Sequence, residues 1–258
     1  ATKKFFSTII NTEKFPLTEL QSTCASEMAK VLENSYRAMN IGFMVEWSRF
    51  AEEAGVNLYE VVNAIRMRPT HSNLMYPGIG VGGYCLPKDP LLASWARKKF
   101  YNDNEGLNQS EEAVRITRSM PAHTISFIEK QYGEKIQEKH VLILGLSYNK
   151  NVGDTRDTPV APVINHFIEN GNNVEIHDPY IREWEGRSIY TDLNKLIASN
   201  YDMIVVCTAH DDYAKDNKMR QFFEACKGSL LVVDTVGVLS ESVITQPKNS
   251  VKVKVIGR

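Results

Sequence analysis

Cys85 stands in the run GVGGYCLPKDP, between a glycine-rich loop and a Lys-Asp-Pro triplet that reads as the start of a helix. That is a position where a thiol gains reactivity, because the free N–H groups of a helix N-terminus and a nearby cation, here Lys88, favour thiolate over thiol. A lone cysteine is also commonly a small buried hydrophobe, and Asp89 reads equally well as a simple N-cap. Lys30 and Asn34 lie four apart in a helical pattern and so share a face, from which an ammonium and an amide could address one oxyanion; a solvated face is the plainer reading. Farther on, Gly145 ends an apolar run and is followed by Lys150, Asp154 and Arg156, polar groups placed where phosphate binds in α/β proteins or where a surface ion pair forms. The run Gly78 to Gly83 satisfies G-x-G-x-x-G, but RPTHSNLMYP before it is no buried strand and no acidic residue ends a second strand downstream. Its glycines therefore read as permitting close backbone approach rather than as a dinucleotide turn.

The elements that must position these residues fall into two kinds. Apolar residues recur at threes and fours from Thr18 to Gly55, predicting one long amphipathic helix with Thr18 as N-cap and Gly55 as its stop. At roughly 50 Å it exceeds what a small domain needs to cover itself, which points to a spine or a dimer seam. A short helix over Leu58–Arg66, one starting near Asp89-Pro90 and one over Ser110–Gln131 complete an all-helical first half. After Gly133, apolar strands at about 139–145, 173–177, 202–207, 229–234 and 251–256 alternate with helices over Pro159–Asn170, Leu193–Ala198 and Met219–Cys226. Continuous apolar strands separated by helices predict a doubly wound parallel sheet, which takes ligands beyond the carboxyl ends of its strands.

Composition sets outer bounds. Of 258 residues, 43% are hydrophobic and 24% charged, with 30 basic and 31 acidic residues, so no global field recruits nucleic acid or an anionic membrane. The apolar runs are far shorter than the ~20 residues of a membrane helix, and no signal-peptide pattern opens the chain, so a cytoplasmic protein is expected. The four cysteines show no CxxC pairing and no metal-ligand spacing with the six histidines, so no metal is expected. Cys24, Cys207 and Cys226 fall in helix or strand contexts that read as buried.

Taken together, the motifs resemble a known family. PGIGVGGYCLPKDP is similar to the active-site loop of the UDP-glucose and UDP-N-acetylhexosamine 6-dehydrogenases, SEMAKVLENSYRAMNIGFMVEW resembles their central helix, and ILGLSYNKNVGDTRDTPV and CTAHDDY resemble their UDP-binding domain. The resemblance implies an α + α/β fold: an all-helical central dimerisation domain over 1–132, then a Rossmann-like doubly wound UDP-binding domain over 133–258. It implies two successive NAD-dependent oxidations at C6 of a UDP-hexose, giving a uronic acid through a thioester on Cys85. Lys30 and Asn34 would stabilise the oxyanion, and Asp89 would position or activate the hydrolytic water. Gly82, Gly83 and Tyr76 would line the sugar site, with Arg68 or Arg66 as the family's arginine before the glycine loop. Lys150 would contact the UDP phosphates, Asp154 and Arg156 match the family's D-x-R element, and Lys88 would lie toward the cofactor. NAD itself would be bound mainly by an N-terminal domain outside these residues, leaving this stretch inactive alone.

The chain departs from bacterial members at Asp234-Thr235-Val236, where they tend to carry D-x-R. The sugar is expected to be a UDP-N-acetylhexosamine, such as UDP-N-acetylmannosamine, with UDP-glucose as the alternative. Two other function classes remain: a UDP-sugar-binding and dimerisation module without turnover, and a thiol hydrolase or acyltransferase, which would need His71 or His123 beside Cys85.

Overall fold

The computed structural model describes residues 1–101, 103–133, 136–197, 199–226, 228–245 and 250–258. An exposed short helix, α1 (Thr2–Phe6), precedes the long helix α2 (Thr23–Ala54). Helix α2 begins five residues later than Thr18 because Ser22, not Thr18, caps it: the Ser22 side chain accepts a hydrogen bond from the Ala25 N–H. It ends as expected at Gly55, left-handed at φ 66°. Helix α3 spans Leu58–Arg66, the range read from the sequence.

Two further helix boundaries differ. Helix α4 (Cys85–Tyr101) starts at Cys85 rather than at Asp89-Pro90, with Pro90 inside it. The first four N–H groups of a helix have no intrahelical partner, so Pro87 removes nothing, and only Pro90 omits a bond. The stretch expected as one helix over Ser110–Gln131 is two, α5 (Asn108–Arg118) and α6 (Met120–Tyr132), broken at Ser119 just ahead of Pro121. Helix α2 is sandwiched by its neighbours along one face only. Asn34, Ser35, Ala38, Gly42 and Val45 are buried there, and Gly42 lets α2 approach the backbone of Ala113 on α5.

The second half is a parallel sheet of β1 (His140–Leu144), β2 (Asn173–His177), β5 (Met203–Val206), β6 (Leu230–Asp234) and β7 (Val251–Val255), in the order β2-β1-β5-β6-β7. A small hairpin, β3 (Glu183–Trp184) and β4 (Arg187–Ser188), which sequence patterning did not suggest, lies outside it. Val141, Ile143, Val205 and Val233 face one core with α6 and α7 (Ala161–Glu169), while Leu142, Leu144, Ile204 and Val232 face another with α8 (Asp216–Ala225) and α9 (Glu241–Thr245). Both faces are covered, which is why these strands read as unbroken apolar runs. The stretch expected as helix from Leu193 is a 3-10 turn over Leu193–Leu196, and Ala198 lies outside the described residues. Strand order reverses between β1 and β5, which places a ligand crevice at their carboxyl ends. Among the described residues no helix is long and apolar enough to cross a membrane.

The halves are joined by backbone. Leu58 N–H donates to Gly257 C=O at 2.9 Å, and Gly257 N–H donates to Glu52 Oε1 at 2.9 Å. Asp234 uses its carboxylate to accept from the N–H groups of Val236, Gly237 and Leu239, so the D-T-V segment serves as a loop staple.

His177, at the carboxyl end of β2, is buried against Tyr213, and burial pushes its imidazole down to about 4. A ring depressed below the ordinary ~6.5 stabilises the fold fully above that pH and loses its contribution as pH falls toward 4, by at most about 3 kcal/mol. Urea unfolding at pH 7.5 and pH 4.5 should show a smaller acid loss in His177→Gln than in the parent protein; equal losses would remove His177 as the cause.

Candidate functional site

The turn after β1 carries Lys150 and is held by a buried polar network. Gly145 is left-handed at φ 92°, and any side chain there would strike Thr208, at the end of β5, at 2.4 Å. Asp178 accepts from the N–H groups of Leu146 and Ser147 at 2.8 and 3.0 Å. His210, fully buried, lies 3.2 Å from both Asp178 Oδ2 and Ser147 Oγ through Nε2, and its Nδ1 accepts from the Asn151 N–H at 2.9 Å. That last bond fixes the tautomer, with the proton on Nε2. Asp178 stays below the usual carboxylate range: burial opposes ionisation, but His210 and three backbone N–H groups outweigh it. Lys150 is thus presented at the switch point on a rigid turn. Its ammonium lies 2.9 Å from Asp211 in a solvent-exposed pair, of the kind that gains little and yields readily to a stronger anion.

Asp154 and Arg156 pair with each other. Arg156 Nε lies 2.9 and 3.0 Å from the two carboxylate oxygens, and this contact holds the Asp154 carboxyl down to about 2 and pushes the guanidinium up. The same residues reach the glycine loop. Gly83 N–H donates to Arg156 C=O at 2.7 Å, and a Cβ on Gly82 would fall 2.4 Å from the Tyr148 Cβ and 2.7 Å from Asp157 C=O. The glycines therefore serve close approach of two backbones. With Tyr148 occupying the space above them, G-x-G-x-x-G offers no cradle for the pyrophosphate of NAD.

Cys85 is exposed as the first residue of α4, and Asp89 follows one turn later on the same face. Asp89 is anchored: buried Asn34 of α2 donates Nδ2–H to its Oδ2 at 2.7 Å, and Lys88 lies 3.2 Å from its Oδ1. Asn34 and Lys88 thus converge on Asp89, with Cys85 one turn before it on α4. Lys30 is not drawn in; its ammonium pairs with Glu33 at 3.0 Å in solvent. Tyr76 and Arg68 also stand apart. Tyr76 stacks on Tyr59 at 5.7 Å beside Asn63 and Arg66 of α3, and Arg68 is exposed next to the 3-10 turn Pro69–His71. His71 contacts Thr70 and His123 contacts Glu52, so neither is a base paired with Cys85. Cys207 and Cys226 are buried as expected, but Cys24 is exposed, because it falls in the first turn of α2 ahead of the face that α5 covers. His210, Asp178, Tyr148 and Tyr84 were not singled out by sequence reasoning. His210 and Tyr148 lie within the motifs quoted above, but a buried network partner has no spacing signature of its own.

The geometry agrees with comparisons to known proteins. Residues 24–113 match the UDP-glucose/GDP-mannose dehydrogenase family, central domain, and residues 142–241 match the same family's UDP binding domain. UDP-N-acetyl-D-mannosamine dehydrogenase of Methanocaldococcus jannaschii is 30% identical over 259 residues, 99% of this chain and 56% of that protein. The enzyme of the same description from Pyrococcus horikoshii is 34% identical over 204 residues, 77% of this chain and 45% of its own length. Among solved structures, NDP-N-acetyl-D-galactosaminuronic acid dehydrogenase from Methanosarcina mazei superposes with a TM-score of 0.81 at 26% identity, over 92% of this chain and 51% of that one. The P. horikoshii UDP-D-ManNAc dehydrogenase structure gives 0.73 at 29% identity, over 90% of this chain and 51% of that one. The chain spans about half the length of the relatives it matches. With both matched stretches in order and the Cys85 loop docked on the turn after β1, the chain belongs to the UDP-glucose/GDP-mannose dehydrogenase family.

Proposed function

We propose that this chain is the substrate-binding and nucleophile-bearing part of a nucleotide-sugar 6-dehydrogenase acting on a UDP-N-acetylhexosamine, UDP-N-acetylmannosamine by similarity to the relatives so described. The observation that carries the reading is the Asn34–Asp89 bond one helical turn from Cys85, with the loop ahead of Cys85 bonded to the turn that presents Lys150. The units are a helical central part over 1–132 and a UDP-binding part over 133–258.

In this reading Lys150 exchanges Asp211 for the diphosphate. The sugar C6 then reaches toward the α4 N-terminus, where Cys85 Sγ adds to the C6 aldehyde, so covalent catalysis divides one hard oxidation into two steps. Asn34, and Lys30 once its side chain swings from Glu33, donate to the oxyanion. Asp89, held by Asn34 and Lys88, retains a lone pair on each carboxylate oxygen with which to orient the water that hydrolyses the thioester. NAD, when bound by a domain outside these residues, supplies the hydride acceptor.

The chain is also proposed to dimerise through α2. Opposite its buried face, Met28, Leu32, Tyr36, Met39, Phe43, Trp47 and Phe50 form an exposed stripe at helical spacing, with Phe43, Trp47 and Phe50 in successive ring contact. So large an uncovered apolar surface marks an interface, and a second copy covers it by two-fold symmetry.

Calorimetry should show that the chain binds UDP without NAD and that Lys150→Ala weakens binding by about 1–3 kcal/mol, the range for a lost charge-assisted hydrogen bond. Unchanged affinity would take Lys150 out of the site. Sedimentation should show a dimer that Phe43→Glu converts to monomer while UDP binding persists; a monomeric parent protein would refute the seam.

A further inference from the structure

We propose that Arg156 and Tyr84 form a clasp that positions Cys85 from the nucleotide-binding turn, so that a nucleoside diphosphate held at Lys150 alters the reactivity of the Cys85 thiol. The coupling rests on the UDP-binding reading above; the clasp itself does not.

Three contacts, all between residues close to Cys85 or close to Lys150, build it. The Gly83 N–H bonds the Arg156 carbonyl at 2.7 Å, and only Tyr84 separates Gly83 from Cys85. The Arg156 guanidinium lies over the Tyr84 ring, 5.1 Å from its centroid, although that ring is otherwise 63% exposed. The Tyr148 ring lies where a Cβ on Gly83 would be, within 3.0 Å, and its hydroxyl donates to Asp154 Oδ2 at 3.3 Å. Only Asn149 separates Tyr148 from Lys150.

The guanidinium is aimed by Asp154, to which it donates from Nε and Nη2, rather than outward toward an anion. Arg156 thereby works through other groups, as a positioning residue, by fixing the segment ahead of Cys85 at both backbone and side chain. The turn between the two ends is constrained: Asn151 and Asp157 are left-handed at φ 58° and 48°, conformations that persist only where surroundings over-determine them. A phosphate drawn to Lys150 therefore bears on Tyr148, Asp154 and Arg156 together, the groups that hold the segment ahead of α4. No second element needs to move, because the two backbones already touch.

The test is the rate of Cys85 alkylation by iodoacetamide, read by mass spectrometry of its peptide, with exposed Cys24, at the start of α2, as an internal reference. Without ligand, Tyr84→Leu and Arg156→Ala should change the Cys85 rate about two- to fivefold, the factor matching an exposed cation–π contact, and leave Cys24 unchanged. Tyr84→Phe, which keeps the ring, should retain the parent rate. Saturating UDP should shift the Cys85 rate in the parent protein but not in Tyr84→Leu, which still binds UDP by calorimetry. Parent-like Cys85 rates in both Tyr84→Leu and Arg156→Ala would overturn the clasp. UDP that binds the parent without touching the Cys85 rate would overturn the coupling. Failure of UDP to bind would instead sink the nucleotide reading and the coupling with it, while the ligand-free rates still decide the clasp.

Discussion

The close approach of the Gly82–Gly83 backbone to the turn after β1 is the constraint on which the remaining geometry depends. At 2.7 Å from Gly83 N to Arg156 O, with Tyr148 and Asp157 filling the space a side chain would need, the loop ahead of Cys85 has one seat. Because glycine alone permits that approach, the loop cannot carry bulk at these positions without pushing Cys85 away from the turn after β1. The seat in turn requires that the turn be rigid. Asp178 and His210, both fully buried, supply that rigidity by satisfying N–H groups that would otherwise be orphaned behind β1. Chemistry on the helical half is thus referenced to the strand ends of the other half rather than to its own loop.

Helix α2 has a dual task that its length explains. One face buries Asn34 at the point where it meets Asp89, and the same face farther along packs α5 and reaches the carboxyl-terminal strand through Glu52. The other face stays apolar and open. A helix serving one half alone would need neither its second stripe nor its full 32 residues.

Much of this was legible in the chain. The alternation of apolar strands with helices gave the parallel sheet because both its faces are covered, and Gly55 marked the end of α2 because a left-handed stop favours glycine. Cys85 and Asp89 were found through position: glycines, then a helix start. The start of α4 was misplaced by four residues because Pro90 looked like a first-turn proline, whereas Pro87 had that role. The break at Ser119 was hidden by a helical pattern that continues through it. Lys30 was expected beside Asn34 from spacing, yet side-chain rotation lets it pair with Glu33 instead, which periodicity does not reveal. His210 and Asp178 lie just past the ends of β5 and β2, strands separated in sequence, so only the sheet order brings them together.

The central claim is that Cys85 bonds covalently to the sugar while Asp89 serves the later hydrolysis. The most direct measurement is mass spectrometry of an Asp89→Asn enzyme that joins this chain to an NAD-binding domain, incubated with UDP-N-acetylmannosamine and NAD and then digested. The account predicts a hexosaminuronyl adduct on the Cys85 peptide, absent when Cys85 is serine and uronate release stops with it. An unmodified Cys85 peptide together with near-normal uronate formation by Cys85→Ser would contradict it.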